Sequence, residues 1–176
     1  VPLVFGSVTS CGTLDKEGTT YVLQNNVSST DTCFNVTAEN ITINCNGYEI
    51  NYSHNGTLGY GVYSNQDRTN VTNCIIVEGN ATTRYKHVIY YDGVSNGAAW
   101  DNNITALGVY ADSVRLVDSP SNNVSRNKIR CGSNAAGIYA LTNSHNATIS
   151  SNNITCTGNY AKGIQVSNTD NHIIEN

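Results

Sequence analysis

Charge is thin in this chain, leucine is scarce, and no apolar run is long. Only 12% of the 176 residues are charged, the formal balance is −4 and no basic run exists, so the electrostatic footprint of a nucleic-acid binder is missing. No apolar stretch approaches the ~18 residues that cross a bilayer, so no membrane span is expected. Long faces of period 3.6, which helical repeats need, are lacking. The apolar runs are short, β-branched and alternating, and Asn, Gly or Ser bound them, the pattern of strands and turns. The Leu-x-x-Leu-x-Leu pattern of a leucine-rich horseshoe is absent as well. The cysteines include no Cys-x-x-Cys pair, so no metal site and no cofactor are expected.

What the chain has instead is asparagine, at 27 of 176 positions, and internal repetition. Asn127-Lys-Ile-Arg-Cys131-Gly-Ser-Asn134 and Asn152-Asn-Ile-Thr-Cys156-Thr-Gly-Asn159 match at four offsets, 25 residues apart. Self-similarity at such a period marks a solenoid, whose units bury their apolar faces only against neighbours. Openings recur at Gly61-Val-Tyr63, Val88-Ile-Tyr90, Gly108-Val-Tyr110, Gly137-Ile-Tyr139 and Gly163-Ile-Gln165, spaced 27, 20, 29 and 26 residues apart. Asn-rich steps with an apolar beat follow them, at Asn102-Asn-Ile104, Asn127-Lys-Ile129 and Asn152-Asn-Ile154. The unit reads strand, turn, strand, turn. The fold expected is all-β, a parallel β-helix of about six to seven coils and, at ~4.8 Å per coil, on the order of 30 Å long. Residues 1–18 read as an extended N-terminal arm and lead-in, and 19–176 as the β-helix domain.

Asn40-Ile-Thr-Ile-Asn-Cys-Asn-Gly-Tyr-Glu-Ile50 and the Gly-Ile-Tyr…Asn-x-x-Ile coils resemble the right-handed parallel β-helix proteins of the pectate-lyase-like superfamily. The lead-in Ser10-Cys-Gly-Thr-Leu14…Tyr21-Val-Leu23…Cys33-Phe34 is similar to that of secreted, cell-surface microbial members. The resemblance covers residues 10–176 and implies fold more than activity, because the same coil serves lyases, hydrolases, adhesins and structural proteins.

Alternation of side chains in a strand predicts which residues face inward. One stack is expected from Val62, Ile89, Val109, Ile138 and Ile164, and a second from Ile75, Ile104, Ile129 and Ile154. Asparagines before the Ile beats are expected to stack inside turns, their amides bonding to the next coil. Tyr63, Tyr90, Tyr110 and Tyr139 then form an outward stripe. Such a stripe stabilises the sheet by stacking, or contacts polysaccharide or a neighbouring subunit. Trp100 is a second contact candidate.

Six cysteines and many glycosylation signals point to an oxidising, extracellular compartment. Cys131 and Cys156 hold equivalent places in successive coils, inside disulfide range. Cys11 with Cys33 staples the lead-in, and Cys45 with Cys74 follows by elimination unless these two remain buried thiols. Asn-x-Ser/Thr sequons occur at Asn26, Asn35, Asn40, Asn51, Asn55, Asn70, Asn80, Asn103, Asn123, Asn146 and Asn153, and about half are expected to carry sugar because exposed turns are within a transferase's reach. Some, such as Asn40 in a tight strand, are candidates for a structural role instead.

The start Val1-Pro-Leu-Val-Phe5, without Met, fits a cleaved export signal. Val1 to Val8 reads as an apolar arm without a partner in its own coil pattern, and Asn171-His-Ile-Ile-Glu-Asn176 stops within a repeat. Either the chain is a fragment, or copies of itself cover its ends head to tail, a contact that generates filaments.

Enzymes of the resembled superfamily cluster Asp for calcium beside an Arg or Lys base, or place Asp pairs on adjacent coils. Carboxylates acting across a sugar ring stand ~5–10 Å apart. The candidates here are Glu78, Asp92, Asp101, Asp112 and Asp118, with Arg84 and His87 near in sequence. Asp92 and Asp112 each lie two residues beyond a Tyr opening and are expected to stack. No hydrolase-type Asp-Asp pair or lyase-type Arg-x-Pro-x-x-Arg string is present, so no catalytic residue is assigned. The reading is an extracellular glycosylated structural protein, with carbohydrate binding or polysaccharide lysis as the alternative.

Overall fold

The structure, a computed structural model, describes residues 4 to 82 and 84 to 176. Among them are 21 strands and no helix. The strands lie in three sheets whose pairings are parallel, of eight, seven and six strands. From Thr19–Leu23 onward, each complete coil visits the first sheet, then the third, then the second, as in Asn123–Ser125, Lys128–Cys131 and Ala136–Leu141. The result is a parallel β-helix of about seven turns.

Register follows the apolar beats. In the first sheet Ile43, Val71, Ala99, Val124, Ile149 and Ile174 align. In the third sheet Ile50, Ile76, Ile104, Ile129 and Ile154 align. In the second, Phe34, Val62, Ile89, Val114, Ile138 and Ile164 align. Residues of the middle coils in these columns are fully buried, and each buried aliphatic side chain contributes about 1.5–3 kcal/mol.

Two members of the expected stacks are corrected by this register. Ile75 pairs with Asn103 and is half-buried, whereas Ile76 faces the core opposite Ile104. Val109 lies outside the strands, and Val114 takes its place between Ile89 and Ile138. The Gly108-Val-Tyr110 string imitates a coil opening for a different reason. Gly108 donates its N–H to Glu78 Oε2 at 2.7 Å, and a Cβ there would collide with that carboxylate. Glu78 is buried with Lys86, whose Nζ lies 3.1 Å from Glu78 Oε1. Gly108 is small to admit a carboxylate, not to start a strand.

The arm is corrected too. Val1 to Leu3 lie outside the described residues, but Val4–Val8 pairs in parallel with Thr19–Leu23 and forms the edge strand of the first sheet. Gly6 stands opposite Tyr21, where a Cβ would press on the ring at 3.1 Å. The segment therefore belongs to the solenoid, and the second sheet likewise begins within the lead-in, at Gly12–Leu14.

Turns and staples hold the coils in register. Asn73, Asp101, Arg126 and Ser151 all adopt φ between 54 and 56°, and the next residue in three of these corners is a ladder asparagine. Asn102 and Asn127 are buried. Asn102 donates from its backbone N–H and from Nδ2 to Asn127 Oδ1, both at 3.0 Å, and Asn127 repeats the pattern onto Asn152 at 3.0 Å. Nδ2 of Asn102 and Asn127 also donates to Val71 and Ala99 carbonyls. Disulfides join Cys11 to Cys33, Cys45 to Cys74 and Cys131 to Cys156, with Cα separations of 4.6, 4.7 and 4.4 Å. None of the six cysteines remains a free thiol.

A candidate glycan-contacting face

The outward side chains of the second sheet form one column. In register stand Thr13, Asn35, Tyr63, Tyr90, Arg115, Tyr139 and Gln165. The expected stripe is thus partly assembled: Tyr63 and Tyr90 adjoin, Arg115 separates them from Tyr139, and Tyr110 is elsewhere. Tyr110 sits at a turn with φ 59° and stacks on Tyr85 at 5.1 Å, with the Arg84 guanidinium 5.5 Å from its ring. Arg115 lies over the Tyr139 ring at 5.2 Å, a cation–π contact.

Around Tyr63 and Tyr90 the structure adds rings that sequence reasoning missed. Tyr60 stacks on Tyr63 with centroids 5.7 Å apart and meets the edge of Tyr90 at 5.1 Å. His87 lies parallel to Tyr60 at 6.1 Å and edge-on to Tyr90 at 5.5 Å. The signal for Tyr60 was its spacing of three from Tyr63 in Tyr-Gly-Val-Tyr. The signal for Arg115 was a count of 25 from Tyr90.

Electrostatics fix these rings. Tyr63 donates its hydroxyl to Asp92 Oδ2 at 3.2 Å, and desolvation followed by the Asp92 charge pushes its pKa up to about 12. His87 is buried and accepts the Asp112 N–H on Nδ1 at 3.0 Å, which places its own proton on Nε2. Burial, then Arg115, lowers its pKa to about 3, so its approach to Asp112 Oδ2 is not an ion pair. Asp112 accepts the Ala136 N–H at 2.8 Å and pairs with Arg115 at 2.6 Å. Burial raises its pKa against the lowering effect of those two partners.

The carboxylate candidates do not converge. Asp92 follows Tyr91 at the exit of Ile89–Asp92, in register with Val117, whereas Asp112 precedes the entry of Val114–Val117 by two residues. Their five-residue offset along the strand is on the order of 16 Å, so the expected stacking fails. Glu78 is buried against Lys86, Asp101 is paired with Arg126 at 2.9 Å, and Asp118 accepts from Asn143 Nδ2 at 2.8 Å. Trp100 is half-buried in Ala98–Trp100 of the first sheet, in register with Thr72 and Ser125 and apart from the aromatic cluster.

Depressions among the described residues include three of note. About 430 Å³ lies at the corner between first and third sheets, beside Asn73, Cys74, Asp101 and Asn103. About 190 Å³ lies among Tyr85, Tyr110, Asp112, Arg115 and Tyr139, and about 300 Å³ among Thr32, Asn35, Tyr60 and Tyr63. The first is the largest, yet it holds no aromatic ring and its one carboxylate is already paired, so the aromatic face is the better candidate site.

No family model, no curated protein and no solved structure matches this chain. The face must be read from its own chemistry, and so must the sequons. None of the eleven sequon asparagines is buried: Asn51, Asn70 and Asn80 are half-buried and the other eight are exposed. Asn40 lies not in a strand but at an exposed bend with φ 55°. No helix among the described residues is long and apolar enough to cross a membrane.

Proposed function

We propose that the chain is an extracellular, N-glycosylated structural β-helix, an element of a cell surface or filament, akin to the secreted branch of the pectate-lyase-like superfamily that its motifs resemble. The observation that carries this reading is the division of its asparagines. In the pairs Asn102-Asn103, Asn122-Asn123 and Asn152-Asn153, the first residue donates its amide to the protein interior and the second, a sequon, is exposed. Inward amides clamp the coils while outward ones remain open to a transferase. Three disulfides are compatible with the oxidising compartment such a protein needs.

Assembly of copies is the second part of the proposal. Val4–Val8 and Ile173–Glu175 are the outer strands of the first sheet among the described residues, and an outer strand offers its backbone groups to a further strand. Whatever continues the stack must offer a matching parallel edge, and we take a copy of the chain as that partner. Secretion from a glycosylating host tests both parts. The expected result is a mass excess removed by endoglycosidase and rods longer than one molecule in electron micrographs. Bare protein that stays monodisperse at all concentrations sinks the reading.

A second reading is favoured by one observation, the Tyr60–Tyr63–Tyr90 cluster. Flat rings with polar tips suit the faces of sugars, so this face is a carbohydrate contact. Chemistry on the sugar has weaker support, because Asp92 and Asp112 stand far apart. Retention of unglycosylated protein on a glycan array, abolished by Tyr63→Ala, is the expected result, and unchanged retention removes this reading.

A further inference from the structure

Asn35 is the middle residue of Phe34–Val36, between two fully buried neighbours, so its side chain stands out on the exposed face. The next coil places Tyr63 in register with it, about 4.8 Å away along the solenoid. Asn35 and the rings of Tyr60 and Tyr63 line one depression of about 300 Å³. Among the depressions described above, this one alone brings a sequon against aromatic rings, and the Asn35 amide has no hydrogen bond to another described residue. By contrast, Asn26 Oδ1 accepts the Glu49 N–H at 2.9 Å, and Asn70 Nδ2 donates to the Arg68 carbonyl at 3.2 Å.

The rings beside it are held before any ligand arrives. Tyr63 is fixed by its hydrogen bond to Asp92, Tyr60 by its stacking on Tyr63 and His87, and Tyr90 closes the far side edge-on to both tyrosines. Thr32 Oγ1 accepts the Tyr60 N–H at 3.1 Å, which ties the ring's backbone to the rim of the same depression. Rings preorganised in this way receive a flat apolar face without losing further freedom. A pyranose offers that face through its axial C–H bonds. One linked to Asn35 Nδ2 is delivered to the Tyr63 ring by a covalent tether, so its effective concentration there is high.

We infer that the core sugars of an N-glycan on Asn35 lie down on the Tyr63–Tyr60 platform and run along the column toward Tyr90. The inference rests on the glycoprotein reading above and deepens the carbohydrate-contact reading by naming the occupant: the chain's own glycan, not a free polysaccharide. A docked glycan covers tyrosine surface that is otherwise half-exposed and leaves the remaining sequon glycans free in solvent.

The test is site-resolved mass spectrometry during endoglycosidase digestion of the native, fully disulfide-bonded protein from a glycosylating eukaryotic host. Release at Asn35 is expected to lag release at Asn146, an exposed turn site, by about three- to tenfold, the worth of one aromatic contact. Tyr63→Phe keeps the lag and Tyr63→Ala abolishes it. In the wild-type protein the acetyl methyl protons of the Asn35 core sugars shift upfield in NMR spectra, a readout that stands even where Tyr63→Ala fails to fold. Equal release at Asn35 and Asn146 with unshifted methyl protons overturns the docking, as does a lag that survives Tyr63→Ala. An Asn35 left bare while other sequons carry sugar overturns the docking alone. Eleven bare sequons overturn it together with the glycoprotein reading.

Discussion

Asn102 and Asn127 lie one coil apart, and a single oxygen, Asn127 Oδ1, accepts both the backbone N–H and the Nδ2–H of Asn102 at 3.0 Å. Each buried asparagine is thus donor to one coil and acceptor from another, so the amides clamp successive turns where the chain bends with a left-handed residue. Removing one amide orphans groups on both sides. Asn127→Ala is expected to cost about 3 kcal/mol in chemical denaturation, since each buried unsatisfied group costs about 1–3 kcal/mol. Asn123→Ala, at an exposed sequon four residues earlier, is expected to change stability by less than about 0.5 kcal/mol. Equal costs would show that the ladder contributes nothing beyond burial.

The register of the core gives a second discrimination. Ile129 lies in the buried column between Ile104 and Ile154, so Ile129→Ala is expected to cost about 2–5 kcal/mol. Val109 and Val114 separate the observed register from the one suggested by the Gly-Val-Tyr strings. Val114→Ala, fully buried, is expected to lower the denaturation midpoint clearly, and Val109→Ala, half-buried outside the strands, to lower it little. The reverse order would mean that the chain folds in the other register.

The architecture was legible in the sequence wherever one residue type performs one task in every coil. Asn127 and Asn152, Ile129 and Ile154, and Cys131 and Cys156 repeat at 25 residues because stacked positions meet the same neighbours. Legibility failed where a residue answers to something outside its own coil. Gly108 is set by the Glu78 carboxylate, which the repeat does not contain, and the Gly-Val-Tyr string it creates displaced Val114 and Arg115 from view. The Ile75 slip has another cause, since Ile75-Ile-Val77 is apolar throughout and offers no alternation to choose a face. The site followed the same rule. Tyr63 and Tyr90 were visible as repeats, while Tyr60 and His87 come from the turns that lead into those strands.

The Cys131–Cys156 bridge joins Lys128–Cys131 to Asn153–Cys156, the edge strand of the third sheet. For a 25-residue loop the double variant Cys131→Ala, Cys156→Ala is expected to lose about 3 kcal/mol. Nearest-neighbour stabilisation in a solenoid confines the loss to nearby coils. Hydrogen exchange should therefore accelerate over 153–156 and leave 70–78 protected. Uniform acceleration across the chain would mean that the coils unfold as one unit.

His87 makes stability depend on pH in a defined direction. Its folded pKa is lowered from 6.5 to about 3, chiefly by burial and then by Arg115, so the unfolded chain binds the proton more tightly. Stability from the neutral ring is complete above about pH 6.5 and drains away as pH falls toward 3. Asp112, whose carboxyl burial raises, acts in the opposite sense, because its protonated form is favoured in the folded state. The two oppose each other within one cluster, and the larger His87 effect sets the sign. His87→Asn keeps an acceptor near the position of Nδ1 for the Asp112 N–H while removing the titration. Denaturation midpoints measured between pH 7 and 4 should fall steeply for the wild-type protein and distinctly less for this variant. Parallel slopes would place the acid sensitivity elsewhere in the chain.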